Sequence, residues 1–145
     1  MIMAQLIRNI TELTRCGTQY RTEMLAPLGL KACHASYLLE ICREPGISQD
    51  RLAERICINK SNVARQAVAL EEGGFISRKT CTNDKRIMRL YPTEKTLELL
   101  PEIRQIMGNW SRYLTQDLSE EEREQLAVIL SKMKDRAATW MEEHE

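Results

Sequence analysis

The chain has 145 residues, 43% of them hydrophobic and 29% charged, with 21 Lys and Arg balanced by 21 Asp and Glu. That is the length of one domain, long enough to hold a core without disulfides or a structural metal, so disorder is excluded as the default. Six Gly and four Pro are too few for a loop-dominated β-sandwich, and the many Leu, Glu, Arg, Ala, Gln, Lys and Met favour a mainly helical fold.

Ile2, Leu6, Ile10, Leu13, Gly17, Tyr20 and Met24 recur every three or four residues and predict one amphipathic helix over the first two dozen residues, stopped by Pro27 and Gly29. A second helix is expected from about Ala32 to Arg43, with Ala35, Leu38, Leu39 and Cys42 on its apolar side and Pro45-Gly46 at its end. Ser48 can cap a short third helix, Gln49 to about Ile56, with Leu52, Ala53 and Ile56 inward. Cys57-Ile58 forms a tight turn, Asn59 caps a fourth helix from Lys60 to Glu72, and Gly73-Gly74 closes it by allowing left-handed backbone angles. Two helices so joined make a helix-turn-helix.

The period then changes. Residues 75–80 and 86–91 mix β-branched or aromatic residues with basic ones, and the turn-like Cys81–Lys85 between them makes a β-hairpin whose strands and tip carry positive charge. After Pro92, Thr93 can cap a long fifth helix that Pro101 and Gly108 should bend. Ser119 with Glu122 forms a capping box for a sixth helix, with Leu126, Ile129, Leu130, Met133, Ala137 and Trp140 on one side.

The longest uninterrupted apolar stretch is Leu126–Leu130, far short of a membrane span, and the N-terminus lacks the pattern of a secretion signal, so a cytoplasmic protein is expected. Cys16, Cys33, Cys42, Cys57 and Cys81 form an odd set without a CxxC pair, which reads as reduced thiols. With only His34 and His144 to accompany them, no metal and no cofactor are expected. There is no Gly-rich phosphate loop, no G-x-S-x-G and no H-E-x-x-H, so nothing suggests an enzyme.

The balanced total charge hides a polarity. Residues 31–90 hold eleven Lys and Arg against seven acids, whereas residues 117–145 hold nine acids against four bases. The fourth helix sharpens the point. With Val63 set at 0° and an advance of 100° per residue, Ala67 falls at about 40° and Leu70 at about 340°, making the buried stripe; Ser61, Arg65, Ala69 and Asn62 fall at about 160°, 200°, 240° and 260° on the opposite face. That face is small, polar and rich in donors, and it suits the major groove, where Arg pairs with guanine and Asn with adenine or phosphate.

Five segments carry a resemblance: Ser48-Gln49-Asp50-Arg51-Leu52-Ala53-Glu54-Arg55, Asn59-Lys60-Ser61-Asn62-Val63-Ala64-Arg65, Leu70-Glu71-Glu72-Gly73-Gly74-Phe75-Ile76, Asp84-Lys85-Arg86 and Pro92-Thr93-Glu94-Lys95. Together with the order of helices, these resemble the MarR family of winged helix-turn-helix transcription regulators over essentially the whole chain. The resemblance implies a single domain of 1–145. In it, 1–30 and 93–145 supply dimerisation helices and 31–92 the DNA-binding winged helix, with the helix-turn-helix at about 48–72 and the wing at about 75–91.

It further implies that Lys60, Ser61, Asn62 and Arg65 on the recognition helix face bases and phosphates. On the wing, with Lys79 and Lys85, Arg86 matches the arginine that enters the minor groove and Asp84 the acid that orients it. Family members are homodimers on pseudo-palindromic operators and are often released by a small phenolic or carboxylic effector. Cys16, Tyr20, His34 and Tyr37 lie where such a pocket would be bordered. The expected function is thus a homodimeric, sequence-specific DNA-binding regulator, a repressor released by a small molecule. The alternatives are a thiol-based redox-sensing regulator acting through Cys16, and a winged-helix protein-interaction module.

Overall fold

In the computed structural model, which describes residues 1–144, the last four helices each begin at a side-chain cap. Helices α1 (Ile2–Leu25) and α2 (His34–Arg43) come first, separated by a short 3-10 turn at Ala26–Leu28. Ser48 accepts the Arg51 N–H and opens α3 (Gln49–Ile56); Asn59 accepts the Asn62 N–H and opens α4 (Lys60–Glu72). Thr93 opens α5 (Glu94–Leu114), which continues as one helix through Pro101 and Gly108. The Ser119–Glu122 capping box, with both reciprocal hydrogen bonds made, opens α6 (Glu120–Glu143). Each cap satisfies N–H groups that the helix itself cannot, so the predicted starts of α3 to α6 coincide with the observed ones.

Helix α2 begins two residues later than its periodicity predicts. A turn takes up the intervening residues: the His34 N–H donates to the Lys31 carbonyl, and the Lys31 N–H donates to His34 Nδ1 at 3.1 Å. Between α3 and α4, Cys57 has φ 55°, the single non-glycine residue with positive φ among those described, and its N–H donates to the Ala53 and Glu54 carbonyls. After α4 the left-handed residue is Gly74 alone, at φ 79°; Gly73 stays right-handed at φ −75°.

A third strand accompanies the hairpin. Strands β1 (Ile47–Ser48), β2 (Ile76–Thr80) and β3 (Met88–Pro92) form an antiparallel sheet in the order β1-β3-β2. Arg78 pairs with Leu90 and Thr80 with Met88, while Ile47 pairs with Leu90 from the other edge. Relative to the sequence expectation, β2 begins one residue later and β3 two. The connecting loop therefore spans 81–87, closed at its base by the Cys81 N–H on the Ile87 carbonyl.

The core lies among α2, α3, α4, the sheet and the first half of α5. Leu38, Leu52, Val63 and Leu90 are fully buried there with Tyr37, Ile41, Ile47, Leu70 and Ile103. Truncating any of the leucines to alanine removes ~2–5 kcal/mol. One polar group ties this core to α4: His34, 5% exposed, uses Nε2 to meet Gln66 Oε1 at 2.9 Å. Because Nδ1 accepts the Lys31 N–H, the neutral Nε2–H tautomer is the form that makes both bonds.

Burial holds the His34 pKa below its ordinary 6.5; Gln66 opposes that shift and the Lys31 charge adds to it. The unfolded chain then binds a proton that the folded one resists, so this contribution to stability is complete above pH 6.5 and is lost as the pH falls below it. The unfolding midpoint should drop between about pH 7.5 and about pH 5.5, and His34→Gln should flatten that drop. Thermal melts at the two pH values check it, and parallel drops in parent and variant would overturn it.

Candidate nucleic-acid interface

The rotation of α4 is set by its buried stripe: Val63, Ala67 and Leu70 are each 0–1% exposed. Ser61 and Arg65 consequently face solvent, with Asn62 half-buried beside them. Local bonds order this face without consuming it. Ser61 Oγ donates to Asn59 Oδ1 at 2.9 Å, and Arg65 reaches Asn62 Oδ1 only at 3.4 Å. Lys60 and Asp50 stand 3.8 Å apart, both exposed, a pairing worth little in water.

Arg86 projects from the wing loop with 91% of its side chain exposed. Its Nε and Nη2 donate to the two carboxylate oxygens of Asp84 at 3.0 Å, and its backbone N–H donates to the same carboxylate at 3.0 Å. These bonds, the side-chain ones foremost, hold the Asp84 carboxyl below the usual carboxylate range. Such an exposed pair adds little stability. What it does is fix the direction of a guanidinium that keeps three of its five N–H donors free. Lys85 is exposed beside it, while the Lys79 ammonium rests 5.2 Å from the centroid of the Tyr91 ring.

Other basic residues of the middle segment are committed to internal ties that sequence reading did not single out. Glu71 accepts both the backbone N–H and Nε of Arg78 at 3.1 Å, fastening the end of α4 to β2. Arg89 donates to the Gly46 carbonyl at 2.9 Å, fastening β3 to the turn before β1. Arg55 spans Glu40 and Glu44 at 2.9 Å each, fastening α3 to α2, and holds the Glu44 carboxyl below its usual range. No local pattern marks these pairs, since their partners lie 7–43 residues away along the chain.

The four residues expected around an effector do not line one cleft, although the His34 and Tyr37 rings pack edge to face with centroids 6.5 Å apart. Cys16 is exposed on α1; Tyr20 donates to the Ile106 carbonyl at 2.7 Å and stacks on Trp110. His34 is taken up by Gln66, and Tyr37 is 1% exposed in the core, where burial pushes its phenol up to about 12. Of the four, Tyr20 alone lines the aromatic cleft of about 380 Å³ that it shares with Asn109, Trp110 and Tyr113. A second cleft, of about 470 Å³ between α1 and the segment before α2, includes Thr18, Arg21, Lys31 and Cys33. Among the described residues, no group of three or more His, Cys, Asp or Glu is placed to hold a metal ion, and no helix is long and apolar enough to cross a membrane.

Two helices joined by a three-residue turn, with the second exposing a polar stripe and followed by a basic hairpin pinned to its end, define a winged helix-turn-helix. The sequence signature of the MarR family matches residues 32–88. The HTH-type transcriptional regulator YybA of Bacillus subtilis (strain 168) is 28% identical over 132 residues, covering 91% of this chain and 88% of that protein. The crystal structure of the transcriptional regulator SlyA superposes with a TM-score of 0.92 at 31% identity, covering 97% of this chain and 99% of that one. A MarR family transcriptional regulator from Listeria monocytogenes, complexed with 26mer DNA, superposes with a TM-score of 0.88 at 27% identity, over 93% of this chain and 90% of that one. The chain belongs to the MarR family of transcription regulators.

Proposed function

We propose that this regulator is a homodimeric, sequence-specific DNA-binding repressor released by a small phenolic or carboxylic molecule. The observation that carries the DNA reading is the free stripe of α4, with Ser61, Asn62 and Arg65 available while Val63, Ala67 and Leu70 are buried. In this reading α4 enters the major groove, Lys60 and the helix start meet phosphate, and Arg86, steadied by Asp84, enters the minor groove with Lys79 and Lys85 beside it. Occupancy of an operator is enough to exclude other proteins from it, so repression needs no further machinery.

Dimerisation through 1–30 and 93–145 is supported by where the apolar surface lies. Helix α6 contains no buried residue, although Val128, Ile129, Leu130 and Trp140 are 49–57% exposed, and Ile2, Met3, Leu6, Ile7 and Leu13 of α1 are 40–80% exposed. Apolar surface of that extent calls for a partner, and a second copy supplies a self-complementary one. Two recognition helices then address half-sites about one helical turn apart on a pseudo-palindrome.

The effector reading shifts from the four sequence candidates to the two clefts beside α1. Buried Gly17 stands between them: a Cβ there would meet Arg21 Nη1 at 3.0 Å and Trp110 Nε1 at 3.4 Å. A phenolic carboxylate fits that junction, its ring against Trp110 and its charge near Arg21.

Arg65→Ala should cost about 1–3 kcal/mol on a preferred duplex and relax preference at one base position, whereas Arg86→Ala should weaken all duplexes alike and lower the salt slope by about one. Duplexes selected by the parent from a random pool serve as probes; parent-like binding by both variants overturns the groove assignments. Replacing Ile129 and Leu130 together by Asp should give a folded monomer whose operator affinity falls on the order of a hundredfold, because the second half-site no longer adds its effective concentration. Sedimentation and circular dichroism check it, and an intact dimer sinks the α6 interface. Finally, hydroxybenzoates that release DNA should quench the emission of Trp140→Phe but not of Trp110→Phe; release without that difference places the effector elsewhere.

A further inference from the structure

Val68 stands apart from the other large apolar side chains exposed among the described residues. The others are Met1 and residues of α1, α5 and α6, where a second copy can cover them; between Met24 and Leu97, Val68 is the one large apolar residue exposed among those described, at 38%. Its angular position explains where it points. On the wheel that puts Val63 at 0°, Val68 falls at about 140°, between Ala64 at about 100° and the stripe of Ser61 and Arg65 at about 160° and 200°. Ser61, Arg65 and Val68 are therefore successive members of one surface ridge, spaced by four and three residues, with Glu72 next.

The composition of that ridge assigns each turn of α4 a task. The first turn offers a hydroxyl, the second a guanidinium, the third a branched apolar group, and the fourth an acid that repels phosphate and ends the contact. A lone valine flanked by Ser61 and Arg65 lacks the contiguous apolar area that a protein partner needs. It matches instead the single apolar feature of the major groove, the thymine C5-methyl. The methyl of Ala64, one turn earlier on the side of Val68, lies next to the same spot, so the pair presents a shallow apolar notch.

We propose that Val68 is a specificity-determining residue that reads a thymine methyl through apolar contact in the major groove. This rests on the major-groove placement of α4 proposed above. The probe is the duplex that the parent protein selects from a random pool, with each thymine replaced in turn by deoxyuridine, which deletes the methyl and leaves the pairing edge intact. At one thymine in each half-site, the parent should lose about fourfold in affinity, the value of one buried methyl-sized group. Val68→Ala should bind the thymine and uracil duplexes alike at that position, while still losing affinity on Arg86→Ala as the parent does.

Because Val68 is exposed and alanine is the better helix former, the variant should melt no lower than the parent. Val68→Thr, which keeps the branch and one methyl, should retain part of the discrimination. If no thymine separates the parent from Val68→Ala while Arg65→Ala and Arg86→Ala weaken binding as expected, the assignment of Val68 is overturned and the groove reading stands. If those two variants also bind like the parent, the groove reading falls and takes this assignment with it.

Discussion

The rotation of one helix about its axis governs everything else in this molecule. Helix α4 has three side chains small enough and apolar enough to seal against α3 and the sheet, Val63, Ala67 and Leu70, and all three are 0–1% exposed. A turn of 100°, one residue's worth, would drive a polar or charged neighbour into the core and cost several kcal/mol. The buried stripe thereby dictates the exposed one: Ser61, Arg65 and Val68 face outward because their opposites cannot. Glu71 then converts rotation into reach, since its carboxylate holds both the backbone N–H and Nε of Arg78 and locks the wing to the end of α4. The spacing between the recognition ridge and Arg86 is thus a property of the core.

Charge is sorted by the same logic. The basic surplus of residues 31–90 suggests a broad cationic face, but Arg55, Arg78 and Arg89 spend their donors on Glu40, Glu44, Glu71 and the Gly46 carbonyl. These residues hold α3, β2 and β3 in place. Lys60, Arg65, Lys85 and Arg86 keep their charge exposed on α4 and the wing loop, with the Lys79 ammonium beside them against the Tyr91 ring. A paired arginine and a free one look identical in a sequence, and only the fold separates them.

Legibility in the sequence followed locality. The starts of α3, α4, α5 and α6 were readable because Ser48, Asn59, Thr93 and Ser119 each bond an N–H three residues on, within one turn of helix. Strand β1 was not, because two residues carry no period and Ile47-Ser48 becomes a strand only by pairing with Leu90 and Arg89 about forty residues later. The site divides likewise: Asp84 and Arg86 are two residues apart and pair as expected, whereas His34 meets Gln66 across 32 residues and so belongs to the core. Val68 escaped for a different reason. A search for hydrogen-bond donors passes over an apolar residue on a polar face, although in the major groove a methyl is as informative as a donor.

Besides the burial of Leu25, Ile103 and Ile106 in the core, two contacts tie the outer helices to the reading head. At one end of α5, Thr93 and Thr96 donate their hydroxyls to the Phe75 carbonyl while the Lys95 ammonium reaches the Gly73 carbonyl and sits 4.2 Å from the Phe75 ring centroid, so α5 grows directly out of the α4–β2 corner. At the far end of the chain, Ala138, Met141 and Glu142 of α6 enclose a small cavity with Ala53, Glu54, Cys57 and Ile58, the elbow of the helix-turn-helix. Helix α5 spans about 30 Å and α6 about 36 Å, so the two act as long arms returning to one head. A tilt of either helix would bear on the α3–α4 elbow or the root of the wing through these contacts. The aromatic cleft beside Gly17 lies along the first of these arms, where Tyr20 donates to the Ile106 carbonyl and stacks on Trp110. On the effector reading proposed above, a ring against Trp110 would bear on this α1–α5 contact, and the Ile106 side chain beside it is packed into the core.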